Sequence, residues 1–267
     1  MRRKGLFWGI VILLIGALML LTNLGMLPGS VWRYFFPLML IAAGLYVLFG
    51  RGWLRPNPNE RVTEIESLSL PLAGARQADI RIKHGAGSLT VRSGAAPANI
   101  LEGEFSAGVQ HEVEDQQGML KVELEAPSLF MLPPMWDYGH AWDVRLNAAV
   151  PLRLRLKTGA DQTDLDLTDL NVTELEIDTG ASANRVRLPA NAGFTKVDID
   201  GGATSIALTV PLGVAAHIRL DGGAAGFEVD TTRFHRVGGY YESSDYATAA
   251  NRVEIKADIG AGSIKVF

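Results

Sequence analysis

Asp178-Thr179-Gly180-Ala181-Ser182 follows the alternating run Glu174-Leu175-Glu176-Ile177. A strand that delivers Asp-Thr/Ser-Gly is how an aspartic protease presents one of two carboxylates, and the two must lie close enough to share a proton. The chain carries one strict Asp-Thr-Gly. Equivalent places elsewhere hold Lys83 and Lys157 for the aspartate, and His84, Gly201, Gly222 or Ile259 for the threonine. What recurs is Gly-Ala, a structural pair, so Asp178 is not expected to be catalytic. His84-Gly85-Ala86-Gly87-Ser88 looks like a phosphate loop, but a phosphate cradle opens a helix whose amides converge on the anion. Here a strand follows. His84, His111, His140, His217 and His235 show no metal-ligand spacing and are expected at the surface or in loops. Asp178, Asp200, Asp221 and Asp258 suggest a calcium column, yet the nonapeptide spacing of calcium-binding β-rolls is absent and they read as solvated corner residues. With no cysteine, thiolate chemistry and Cys-ligated zinc are excluded. No cofactor is expected.

The elements that carry these residues alternate apolar and polar positions, as half-buried strands do. ADIRIK, LTVR, LKVELE, LRLRLK, ELEID, KVDID, SIALTV, HIRL, RVEIK and SIKVF all keep this period, and no amphipathic helix of comparable length follows residue 64. A Gly-Ala pair recurs after a strand at Gly85-Ala86, Gly159-Ala160, Gly180-Ala181, Gly202-Ala203, Gly223-Ala224 and Gly260-Ala261. The middle four are 21, 22 and 21 residues apart. Each unit therefore reads as strand, Gly-Ala corner, strand, turn. One unit has a single apolar face with nothing to bury it, so it stacks on its copies. Small residues relieve crowding where corners meet. The prediction is an all-β domain over 64–267, a β-solenoid or β-roll of such rungs. Irregular segments are expected at 95–118, 126–142 and 230–251, with 233–251 serving as a cap or edge cover.

Charge is absent from residues 5–27 and again from 34–50. The first run is 23 residues and the second 17, against the ~20 that cross a bilayer as a helix. A two-helix transmembrane hairpin over 1–54 is expected, with spans near 5–27 and 32–50 and a turn at Leu27-Pro28-Gly29-Ser30. The first run is too long for a signal-peptide core and lacks a cleavage site. Arg2, Arg3 and Lys4 flank one end and Arg51, Arg55 and Arg61 the other, while the turn offers only Arg33. The positive-inside rule places both termini and the β domain in the cytoplasm. A proline- and asparagine-rich linker, 55–63, joins the two parts. A net charge of -4 offers no footprint for nucleic acid.

Phe130, Met131, Trp136, Tyr138 and Trp142 cluster without alternation in SLFMLPPMWDYGHAW. Two readings stand: a partner or membrane contact, or a segment folded back over the first rungs with Trp142 buried.

The hairpin GIVILLIGALMLLTNLGMLP...WRYFFPLMLIAAGLYVL, followed by GAGSLTV, WDVRLNAAVPLRLRLKTGA and NRVEIKADIGAGSIKVF, resembles the LiaF-like bacterial membrane proteins and their toast-rack, adhesin-like β domain. The resemblance implies a cell-envelope protein linked to responses to cell-wall-active antibiotics, negative regulation of a membrane histidine kinase, and no catalytic residues. The expected function is a non-enzymatic, membrane-anchored regulator with the lipid bilayer and a membrane protein, a sensor kinase, as partners. The alternative is an adhesin-like scaffold that self-associates through its end rungs.

Overall fold

The computed structural model describes residues 65–127 and 140–267. The two expected spans and the linker lie outside these residues, and among the described residues no helix is long and apolar enough to cross a membrane. The described residues, part of the unit Thr63–Phe267, form fourteen strands. These are β1 (Ile65–Pro71), β2 (Gln77–Ser93), β3 (Asn99–Ser106), β4 (Gln110–Gln116), β5 (Met119–Glu125), β6 (His140–Leu146) and β7 (Leu152–Asp166). There follow β8 (Val172–Thr179), β9 (Ala183–Arg187), β10 (Phe194–Thr209), β11 (Ala215–Val229), β12 (His235–Val237), β13 (Tyr240–Glu242) and β14 (Arg252–Val266).

Six parallel rungs make the body: β2, β7, the β8/β9 pair, β10, β14 and β11, in that spatial order. Their shape follows from chain lengths. β7 has 15 residues and would span about 50 Å if straight. The five residues between β7 and β8 reach at most about 18 Å, yet Val172 pairs with Leu152, where β7 began. Each rung must therefore fold back at its middle, so that its two halves face each other. The alternation supplies the lining: Leu154, Leu156 and Leu165 of β7 are buried, as are Val197, Ile199, Ile206 and Leu208 of β10. Each such side chain contributes about 1.5–3 kcal/mol when fully withdrawn from water.

Three features differ from the reading of the sequence. First, the Gly-Ala pairs do not end strands: five of the six rungs are continuous through the pair, and only the third is split, into β8 and β9. The ladder tolerates the bend because parallel neighbours bend at the same place. Second, chain order is not stacking order, since the last rung, β14, inserts between β10 and β11 and pairs in parallel with both. The repeat alone could not reveal this, because any rung offers the same Gly-Ala bend to any other. Third, 95–118 is not irregular. It contains β3 and β4, and every residue of β4 is exposed, so a strand with no buried face leaves no alternation to read.

The two ends of the rack are finished differently. At the β2 end, the first half of the rung pairs with β5 and the second half with β6, extended by β3 and β1. At the β11 end, β13 from the 233–251 segment pairs with His217 and Ile218 only.

Candidate functional site at the bend of the rungs

The register aligns the bend residues into columns. Ala86, Ala160, Ala203, Ala261 and Ala224 lie in one, in spatial order, with the glycines Gly85, Gly159, Gly202, Gly260 and Gly223 beside them. Gly180 and Ala181 close the gap in the third rung, where the Ala181 amide donates to the Gly159 carbonyl at 2.9 Å and the Ala203 amide to the Gly180 carbonyl at 2.9 Å. A β-carbon on Gly180 would lie 2.8 Å from the Gly159 oxygen, and one on Gly202 or Gly260 would lie 2.9 Å from the oxygen of the neighbouring rung's glycine. The crowding is thus between a side chain and backbone, which has no rotamer to escape to.

Beneath the bend runs a polar seam. Thr158 donates to Thr179 at 2.9 Å, Thr179 and Ser182 share a hydrogen bond at 2.5 Å, and Ser182 and Thr204 share one at 2.9 Å. The Asn184 amide donates to Ser182 at 2.7 Å and to Thr204 at 3.0 Å. Hydroxyls withdrawn from water cost free energy unless paired, and a chain of them satisfies its members mutually. Towards β14 the same columns hold Ile259 and Ile264, and the seam gives way to hydrocarbon.

At the other end of the seam His84 Nδ1 meets Asp161 Oδ2 at 2.5 Å, with both side chains fully buried. The ring lies 4.9 Å from that of Trp142, which packs edge-on at 5.0 Å from Phe105. His84 is therefore neither a surface nor a loop histidine, contrary to expectation. The signal was present: Ile80, Ile82 and His84 alternate along β2 onto one inward face. A histidine held by a carboxylate is the arrangement of a general base, but a base must reach a substrate proton. This pair faces the core and acts as a structural clasp between the first two rungs.

Asp178 has 63% of its side chain exposed and lies 3.1 Å from Lys157 Nζ. Its in-register neighbour is Asp200, followed by Asp258 and Asp221. These four form an exposed acidic column, and among the described residues no group of three His, Asp or Glu is arranged to hold a metal. His217 lies 2.7 Å from Glu242 and binds the β13 cover to β11. An open cleft of about 250 Å³ is lined by Asp79, Arg81, Glu123 and Arg155 among others. Two ion pairs run within this lining, Arg155 to Asp79 at 3.1 Å and Arg81 to Glu123 at 3.3 Å.

Of the aromatic and Met cluster, Phe130, Met131, Trp136 and Tyr138 lie outside the described residues. Trp142 is 2% exposed and is a core residue, which removes it from any contact surface. Its place on β6 opposite Leu89 and Phe105 explains this.

The family described as the N-terminal domain of toast_rack, DUF2154, matches residues 57–209, more than half the chain. The LiaI-LiaF-like transmembrane region matches residues 6–48. The crystal structure of a putative cell adhesion protein from Clostridium sporogenes superposes with a TM-score of 0.71 at 20% identity, covering 76% of this chain and 98% of that one. This shows a shared fold. A putative adhesin from Bacteroides fragilis aligns over 76% of this chain and 97% of its own at 8% identity, but its TM-score of 0.29 carries no argument. No curated protein matches the chain. The chain, whose described residues form a bent-rung rack and whose residues 6–48 match a LiaI-LiaF-like transmembrane region, belongs to the toast-rack family.

Proposed function

We propose that this protein is a non-enzymatic, membrane-anchored regulator of the bacterial cell envelope that modulates a histidine-kinase response to cell-wall-active antibiotics. The observation that carries the reading is the joining, in one chain, of a LiaI-LiaF-like membrane region at 6–48 to a toast-rack domain at 57–209. The membrane helices contact the bilayer and a membrane protein partner. The β domain, cytoplasmic by the distribution of Lys and Arg, presents a stiff surface to that partner or to a second one. Its polar groups support a structural use, since the side chains of the His84–Asp161 pair are fully buried and Asp178 is solvated beside a lysine.

A second reading, an adhesin-like scaffold that stacks through end rungs, draws on the fold shared with the Clostridium protein. The rack weighs against open-ended stacking. Both halves of β2 already have antiparallel-extended partners in β5 and β6, so a second rack finds no free rung at that end. Deleting the gene tests the regulatory reading: transcription of envelope-stress genes should change on challenge with a cell-wall antibiotic. An unchanged response refutes it.

A further inference from the structure

The β11 end of the rack has an unfinished half. β14 pairs with β11 along its whole length, from Ala215 to Val229, whereas on the outer side β13 pairs only with His217 and Ile218. Among the described residues no strand lies outside Ala224–Val229. The hydrogen-bond direction there can be read from parity. The Asp230 amide donates inward to the Val266 carbonyl. Amides alternate in a strand, so those of Glu228 and Gly226 also face β14. The amides and carbonyls of Ala225, Phe227 and Val229 then face outward, an unused half-ladder.

Proteins usually protect such an edge with proline, lysine, a bulge or a cover. This stretch, Ala-Ala-Gly-Phe-Glu-Val, has no proline or lysine, its one charge is Glu228, and Phe227 is 39% exposed on the row that holds Ile264 and Ile206. The two carboxylates that flank the edge are Asp221, which has Arg219 of its own strand at 3.6 Å, and Glu228. Asp221 ends the column Asp178–Asp200–Asp258–Asp221, whose other end is matched by Lys157 at 3.1 Å from Asp178. Glu228 ends a row in which Lys265 is its neighbour at 2.7 Å. A second copy pairing here would bring two more carboxylates to the seam together with cations already paired to them, and any register that sets like charges directly opposite is destabilised.

We infer that the outer edge of Ala224–Val229 is a docking site for an extended segment of a partner protein, one that alternates apolar residues with Lys or Arg. The backbone adds a strand to the sheet, an apolar side chain covers Phe227, and cationic side chains meet Glu228 and Asp221. The site stands on the edge geometry and does not depend on the regulatory reading, so an unchanged antibiotic response leaves it intact.

The test uses full-length protein in non-ionic micelles, with empty micelles as blank, and a fluorescent peptide Lys-Val-Thr-Val-Lys-Val. The expected result is saturable binding that weakens at least tenfold when both lysines are replaced by glutamate. Ala225→Pro, which removes one outward amide at an edge where proline is tolerated, should abolish binding while leaving the circular dichroism unchanged. If that variant fails to fold, Glu228→Lys at an exposed position serves instead and should reverse the peptide preference. Equal binding to the wild type and these variants overturns the proposal, as does absence of binding. So does crosslinking of two copies through 224–229 without peptide capture, which would assign the edge to self-association.

Discussion

Asp178 and Gly180 are two residues apart and do opposite kinds of work. Gly180 is fixed by the Gly159 carbonyl, 2.8 Å from where a β-carbon would stand, and the neighbouring rungs fix that carbonyl in turn. Gly180→Val should therefore cost about 1–3 kcal/mol or more, as overpacking against backbone does. Asp178→Asn removes one exposed ion pair and should stay within about 0.5 kcal/mol. Thermal melts of the two variants side by side check this, and a larger loss for Asp178→Asn would be the wrong sign for a structural bend. Asp166 is a carboxylate with a defined pH signature. The Thr168 hydroxyl, and after it the Thr168 amide and Arg187, hold its pKa below the usual range against the opposing effect of burial. A depressed folded pKa stabilises above the unfolded value, about 4, and that contribution is lost as pH falls through the folded one. Urea midpoints should thus drop in acid, and Asp166→Asn should flatten that part of the curve. No change of slope on substitution would count against this assignment.

The seam and the inserted rung belong to the scale of elements. Thr163 sits within the bend beside Asn184, 2% exposed, and its hydroxyl has no hydrogen-bond partner among the described residues. Thr163→Val keeps the shape and removes the orphaned group, so it should stabilise by about 1 kcal/mol, read as a raised melting temperature. Destabilisation would mean that the hydroxyl is satisfied. Among the described residues β14 is the only strand that pairs with both β10 and β11, and Ile255 on it is fully buried. Ile255→Ala should cost about 2–5 kcal/mol. A chain ending at 251 should lose cooperative unfolding altogether, because β11 then has no neighbour but the short β13. Retention of a sharp transition by that truncation would show that β11 can re-pair with β10.

At the scale of the molecule the rack is a short stack with one end closed by antiparallel strands and the other half open. That asymmetry favours a single partner strand over a growing fibre. The sidedness of the β domain is tested by engineered cysteines at Asp200 and Asp258, both exposed. A membrane-impermeant maleimide should label them only after the cells are opened. Labelling in intact cells would put the domain outside and remove a cytoplasmic partner.

Alternation and the Gly-Ala repeat sufficed for an all-β domain of stacked rungs with crowded bends, since period and side-chain size are local properties that each rung states for itself. Other matters are not local. Which rung lies beside which was hidden, because all rungs share one bend and β14 fits between β10 and β11 as well as after them. β4 was hidden because it buries nothing. His84 alternated inward with Ile80 and Ile82, yet its partner Asp161 lies 77 residues away in the chain. The corner that began as a protease motif is, in three dimensions, a column of glycines meeting carbonyls, and that meeting exists only between strands.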